Sequence, residues 1–202
     1  MGKIKMTGTA KRELKADIMN ITITVSDTNK TSFLAIEEGK KQTEKVLQLL
    51  IGLGFDISDI TMDKEVVEKS YKEDVYVFEK RISVKTAADM MILELISDGI
   101  AKNGVNAIYD EEFGLSDFAR VKSEVLREAL MDSRRKVTVI VDALGKKIVG
   151  LESAQYADCC KWIDEQRGHG MLLREGHDSL SSKLSPGVIL VKEEMEVTWM
   201  ID

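Results

Sequence analysis

One long segment without helix breakers limits the folds open to this chain. From Ser116 to Leu144 the sequence contains neither Gly nor Pro, and small or apolar side chains recur every three or four residues. This spacing places them along one side of an α-helix. Ser116 or Asp117 can cap the start of the helix, and Gly145 can end it in a left-handed conformation. We therefore predict a long amphipathic helix with one side that carries Phe118, Val121, Val125, Ala129, Ser133, Val137, Ile140 and Leu144.

Two strands are predicted at the start of the chain. Residues 3–10 alternate between apolar or small side chains and polar ones, as a half-buried strand does. Residues 14–25 form a second strand, but the parity of the apolar positions changes near Met19 and Asn20. Because a slip of one residue turns side chains to the opposite face, we expect a β-bulge there. The carboxylate of Asp17 can accept backbone N–H bonds at this bulge, which is a structural role.

A first helix in this part of the chain is expected over residues 31–53. Thr31 or Ser32 can cap its start, and Gly54 can end it. Gly39 in its middle costs about 1 kcal/mol relative to Ala. Close packing of the helix against a strand would justify that cost.

A hairpin and a second helix are predicted next. Residues 59–71 and 75–86 have strand patterns separated by a short polar turn. A helix over 87–103 then leads into a strand over 105–113. The side chains predicted to face inward from this helix are Met91, Leu95 and Ile96.

The order of these elements predicts the fold class. From the second strand to residue 113 it is β-α-β-β-α-β, the split ferredoxin-like arrangement, with both helices on one face of a mainly antiparallel sheet. The long helix, a strand over 148–156, a final strand over 188–201 and the first strand would complete a second small lobe. We expect an α+β protein. Its predicted division is a single domain over 1–202, with one lobe at 18–114 and the remainder formed by 1–17 with 115–202.

Composition argues against several classes of partner. The net charge is −6 and the aromatic content is low, so a nucleic-acid surface is not expected. The basic run Arg134-Arg135-Lys136 lies beside Asp132 and is better interpreted as a solvated helix face. The apolar runs are too short for a membrane span. The first residues lack the apolar core of a signal peptide, so the protein as written is expected in the cytoplasm, or in the periplasm if an export signal has been removed.

The soft metal ligands of the chain fall within residues 158–183. They are Cys159, Cys160, His169 and His177, with Met171 as a further copper ligand. Thiolates and imidazoles bind zinc or copper. Adjacent cysteines do not easily direct both sulfurs to one tetrahedral site, however, and the Cys-x₂-Cys spacing is absent. We therefore expect a cysteine pair followed by a polar loop, and keep a metal site or a vicinal redox pair as alternatives.

No catalytic motif is recognisable. Gly52-x-Gly54 follows a predicted helix, whereas a dinucleotide loop follows a strand, and no Gly-x-Ser-x-Gly elbow occurs. Glu111-Glu112 and Glu193-Glu194 are adjacent on predicted strands, where successive side chains point to opposite faces. We interpret them as solvated strand edges. Neither catalytic residues nor a cofactor are predicted, and the protein is not expected to be an enzyme.

The order of several short motifs resembles the SIMPL domain family, which includes periplasmic and outer-membrane-associated immunogenic proteins of bacteria. The resemblance covers nearly the whole chain apart from roughly residues 158–183. One departure is Ala16-Asp17, where members often carry Pro-Asp. The motifs are Gly104-Val105-Asn106-Ala107-Ile108, Phe113-Gly114-Leu115-Ser116-Asp117, Ala143-Leu144-Gly145, Leu53-Gly54-Phe55, Asp59-Ile60-Thr61, Arg81-Ile82-Ser83-Val84 and Ser185-Pro186-Gly187.

The resemblance implies a fold and a tendency to build oligomeric rings, and it offers no catalytic residues to carry over. We therefore expect a non-enzymatic homo-oligomer that acts through its assembly, in envelope or stress physiology. The far end of the long helix, with Ile140, Val141 and Leu144, is the predicted contact surface. Alternatively, the strand over 148–156 covers this end within one chain. The alternative function is a small-molecule or metal-binding protein that uses residues 158–183.

Overall fold

The computed structural model of the protein describes residues 2–156 and 187–202. These residues form two compact units, one built from 2–15, 115–156 and 187–202 and the other from 16–114. Together they confirm an α+β fold. The elements are β1 (Gly2–Lys15), β2 (Ile18–Asn29), α1 (Ser32–Gly52), a 3₁₀ turn (Ile57–Asp59), β3 (Ile60–Met62), β4 (Val66–Ser70), β5 (Val75–Ala87), α2 (Met90–Lys102), β6 (Ala107–Gly114), α3 (Phe118–Ala143), β7 (Ile148–Tyr156) and β8 (Val188–Ile201).

The unit formed by residues 16–114 contains a five-stranded sheet. Its strand order is β3-β5-β2-β6, with β4 pairing to the same β5, and every pairing is antiparallel. This confirms the predicted β-α-β-β-α-β arrangement. The predicted strand over 59–71 is divided into β3 and β4, which pair with successive parts of β5.

Both helices of this unit lie on one face of the sheet, as predicted. The side chains that β2 contributes to the core are Met19, Ile21, Ile23 and Val25, all on the same side of the strand. Val46 and Leu50 of α1 and Leu93, Ile96 and Ile100 of α2 belong to the same cluster. Close packing against a strand, which would justify Gly39, is present, because a Cβ built there would lie 2.2 Å from Cδ1 of Phe78 on β5.

The β-bulge predicted for this unit is wrong. No bulge interrupts β2, which pairs with β5 and β6 without a register shift. The change of parity arises because the chain leaves one sheet and enters another at Ala16 and Asp17. Leu14 pairs with β8, whereas Ile18 begins the pairing with β5 and β6. Where the chain passes between the sheets, the backbone of Asp17 makes two hydrogen bonds of 3.1 Å. Its N–H donates to Gly114 O, and its carbonyl accepts from Ala88 N.

The inward face predicted for α2 is only partly correct. Ile96 is buried, but Met91 and Leu95 are exposed, and the buried residues are Leu93, Ile96, Gly99 and Ile100. The first half of α2 is apolar on nearly every side. Its sequence therefore does not determine which side faces the sheet.

The second unit is a three-stranded antiparallel sheet of order β1-β8-β7 covered by α3. Asp117 caps α3 by accepting from Arg120 N at 3.2 Å, and Gly145 follows its end with φ +64°, as predicted. The central strand β8 alternates as expected. The buried cluster of the unit consists of Ala129, Val137, Val141, Met195, Val197, Trp199 and Ile201.

Candidate functional site

The contact between α3 and the sheet beneath it is closely packed. A Cβ at Gly8 of β1 would lie 2.0 Å from the carbonyl oxygen of Ala129, so the strand passes directly under the helix backbone. Ser133 accepts a hydrogen bond from Trp199 Nε1 at 3.1 Å and donates to Leu130 O at 3.0 Å. These groups satisfy one another inside the core, which makes their role structural.

The outer edge of β1 is protected by side chains of α3. Thr9 N donates to Asp132 Oδ2 at 3.0 Å, and Lys136 Nζ donates to Thr7 O at 3.1 Å. Asp132 and Lys136 also pair with each other at 2.7 Å. Lys136, and then the Thr9 N–H, lower the pKa of the Asp132 carboxyl. Lys136 thus covers a strand edge and is not simply solvated. Natural sheets protect such edges because their unpaired backbone groups can otherwise pair with another chain.

At the far end of α3, one of the three residues predicted to form a contact surface is buried. Val141 is only 2% exposed and packs in the same cluster as Ile148 and Ile201. Its predicted role as surface is therefore wrong, because the ends of β7 and β8 cover it. Ile140 and Leu144 are exposed, with Leu144 at 61%.

The strand β7 adds apolar surface next to this helix end. Leu151 pairs with Trp199, whose side chain lies on the face of the sheet that α3 covers, yet Leu151 is 47% exposed. Since α3 packs mainly over β1 and β8, it leaves this part of β7 open. Val149 is exposed as well, at a register shift of the strand. We call Leu144, Val149 and Leu151 the α3–β7 corner.

A second surface lies on the five-stranded sheet, opposite its helices. Cross-strand pairing among β5, β2 and β6 gives three consecutive rows on this side, and their residues on β5 and β6 are exposed except for Ser83. The centre of the face is neutral, with Thr22 Oγ1 at 3.2 Å from Ser83 Oγ. We call this surface the open face. From β5 through β2 to β6, its rows are Lys85-Asn20-Glu112, Ser83-Thr22-Asp110 and Arg81-Thr24-Ile108.

Comparison with known families identifies the family of this chain. The sequence model of the SIMPL family, described as a protein of unknown function (DUF541), matches residues 4–199. The chain belongs to the SIMPL family. The match takes in both units, from β1 to β8. No curated protein matches the chain.

The candidate metal ligands of this SIMPL chain, kept as an alternative to a polar loop, lie outside the described residues. Cys159, Cys160, His169 and His177 all fall between the two described segments. Within residues 2–156 and 187–202, no group of three or more His, Cys, Asp or Glu side chains could hold a metal ion. Over the same segments, no helix is both long and apolar enough to cross a membrane.

The paired glutamates of the SIMPL chain point to opposite faces, as predicted, but they are not all solvated. Glu111 lies on the core side of β6, where burial raises the pKa of its carboxyl, and Glu112 is exposed. Glu193 is fully buried beside exposed Glu194. The interpretation of Glu193 as a solvated edge is therefore wrong. Glu193 occupies every second position of β8 together with Met195 and Val197. This alternation in the sequence indicated that its side chain lies on the buried face of the strand.

Proposed function

We propose that this SIMPL protein has no catalytic site and acts through self-association, with the α3–β7 corner as its contact surface. The observation that carries the proposal is the exposure of Leu144, Val149 and Leu151 around one connection. Apolar surface grouped in this way is typical of interaction sites. Removing it from water contributes about 25 cal/mol per Å².

A second copy of the chain is the partner that this corner suits. In a two-fold contact the same residues meet on both sides, so each corner covers the other. Two of the charged groups next to the corner are already hydrogen-bonded, because Lys146 Nζ donates to the main-chain oxygen of Asp202 and the side-chain carboxylate of Asp202 accepts from the backbone N–H of Lys147. Apolar contact at the corner therefore leaves these groups with their hydrogen bonds.

The family resemblance supports envelope or stress physiology as the setting of the assembly. In this proposal, other components of the cell contact the surface of the assembled protein. No described side-chain cluster supports a reaction centre, so the proposed role is that of an assembling, non-enzymatic protein.

The test is to place charge at the corner. Leu144→Lys with Leu151→Lys is compared with Ile57→Lys and Met91→Lys, which change apolar residues of the other unit that are more exposed than the two leucines. Sedimentation equilibrium should show a lower average mass for the corner variant than for the wild type, and no change for the control. A corner variant with the wild-type mass, or a control that loses as much mass, would contradict the proposal.

A further inference from the structure

The three rows of the open face carry charges of opposite sign on their two sides. Glu79 of β5, exposed and paired with Ser26 in the next row, lies outside them. Arg81 and Lys85 lie on β5, and Asp110 and Glu112 lie on β6, with the hydroxyl and amide side chains of β2 between them. All four charged residues are exposed. Neighbouring strands are about 4.8 Å apart, so the two charged columns are separated by roughly twice that distance.

This pattern excludes several kinds of partner. A nucleic acid would need a surplus of cations and aromatic side chains for stacking, and the named rows of the open face contain neither. A lipid surface would need more apolar area than Ile108 supplies. A face with balanced charges of opposite sign on its two flanks is suited to another protein surface with the reverse order.

The open face of a second copy has that reverse order. A two-fold axis parallel to β2, between two facing sheets, exchanges the β5 side with the β6 side and keeps the position along the strands. Lys85 then faces Glu112 of the second copy. Arg81 lies one row from Asp110 of that copy, within reach of its long side chain. Each pair occurs twice, as a two-fold contact requires.

The charges also favour this axis over a two-fold axis that runs across the strands. A two-fold axis running across the strands would place β5 over β5 and β6 over β6. With that axis over the Ser83-Thr22-Asp110 row, Arg81 would oppose Lys85 and Asp110 would oppose Asp110 of the second copy, so that both flanks repel. Like-charge contacts of this kind suppress the wrong arrangement at an interface.

We propose that the open face binds the open face of a second copy about a two-fold axis parallel to β2. The inference rests on the proposed self-association and adds to it a polar contact in the other unit. With the corner and the open face both in use, the wild-type chain forms assemblies larger than a dimer. With only one of them, it forms dimers.

The test uses two variants that should bind each other better than themselves. Both are made in the background of Leu144→Lys with Leu151→Lys, which leaves only the open face for association. The acidic variant carries Arg81→Glu and Lys85→Glu, and the basic variant carries Asp110→Lys and Glu112→Lys. Each homodimer has only repulsive pairs, and we expect its Kd to rise about tenfold or more over the parent. The mixture restores every attractive pair, so its Kd should return to within about threefold of the parent value.

The controls separate this proposal from the general one. Circular dichroism verifies the fold, and Lys85→Glu with Glu112→Lys as separate single variants repeat the test if a double variant unfolds. A mixture that binds no better than the two variants alone overturns the open-face contact. A parent that stays monomeric overturns it as well. If one of these two results is found and the wild type still assembles, the proposal of self-association through the corner is retained. A monomeric wild type contradicts both proposals.

Discussion

Gly8 and Ser133 determine how closely the long helix approaches its sheet. A side chain at Gly8 would collide with the carbonyl oxygen of Ala129, and Ser133 fills the adjacent space while binding the indole of Trp199. The helix pattern placed Ala129 and Ser133 on the covered side. It could not identify Gly8 as their partner, because the contact joins residues far apart in the chain.

Asp132 gives the fold a dependence on pH that can be measured. Because Lys136 and the Thr9 N–H lower the pKa of Asp132 in the folded protein, the ionised group stabilises the fold. This contribution is present above the ordinary carboxyl pKa of 3.8 and is lost as the pH falls through the lowered folded value. We expect Asp132→Asn to cost about 0.5 kcal/mol of unfolding free energy at neutral pH.

The measurement for this prediction is urea unfolding of both proteins across the acidic range. The difference between wild type and Asp132→Asn should shrink as the pH is lowered and vanish when both carry a neutral side chain. Asp142→Asn, an exposed change on the same helix, serves as the control and should show no such loss. A difference that is equal at neutral and strongly acidic pH would mean that the ion pair does not contribute.

At the scale of elements, the end of α3 shows how narrow the buried stripe is. Val141 is 2% exposed, and Val139 on the same helix is 71% exposed. We expect Val141→Ala to lower the unfolding free energy by about 2 kcal/mol, through lost burial and an incompletely filled cavity. Val139→Ala should change it by no more than about 0.5 kcal/mol. Urea unfolding of the two variants tests this, and equal losses would show that the stripe is assigned wrongly.

Periodicity predicted the elements of this fold well where one face is buried and the other solvated. The strand β8 and the helix α3 have that pattern, and both were found at nearly the predicted bounds. It failed at Met19 and Asn20, where a change of parity marked a passage between two sheets and not a bulge. It also failed for Met91 and Leu95, since α2 is apolar on more than one side.

The candidate surfaces were less accessible to sequence reasoning than the fold. Leu144 was predicted to be exposed from the length of the helix, but the exposure of Leu151 depends on where α3 lies across the sheet. The open face depends on strand order, which brings residues of β5 and β6 to either side of β2. A single sequence does not give that order directly, so Lys85 and Glu112 could not be paired before the sheet was known.

At the scale of the whole molecule, the structure favours contacts through faces over contacts through strand edges. The edge of β1 is covered by Asp132 and Lys136, and β7 has two register shifts that interrupt its edge. Features of this kind prevent sheets from extending into neighbouring copies. The α3–β7 corner and the open face offer side chains and not strand edges, and they belong to different units of the chain.

The mass of the wild-type chain in solution tests self-association most directly. Sedimentation equilibrium is measured from nanomolar to high micromolar protein at physiological salt. We predict an average mass above the 22.6 kDa of one chain that rises with concentration past the dimer, because two contact surfaces are available. A single species of 22.6 kDa at every concentration would contradict the account.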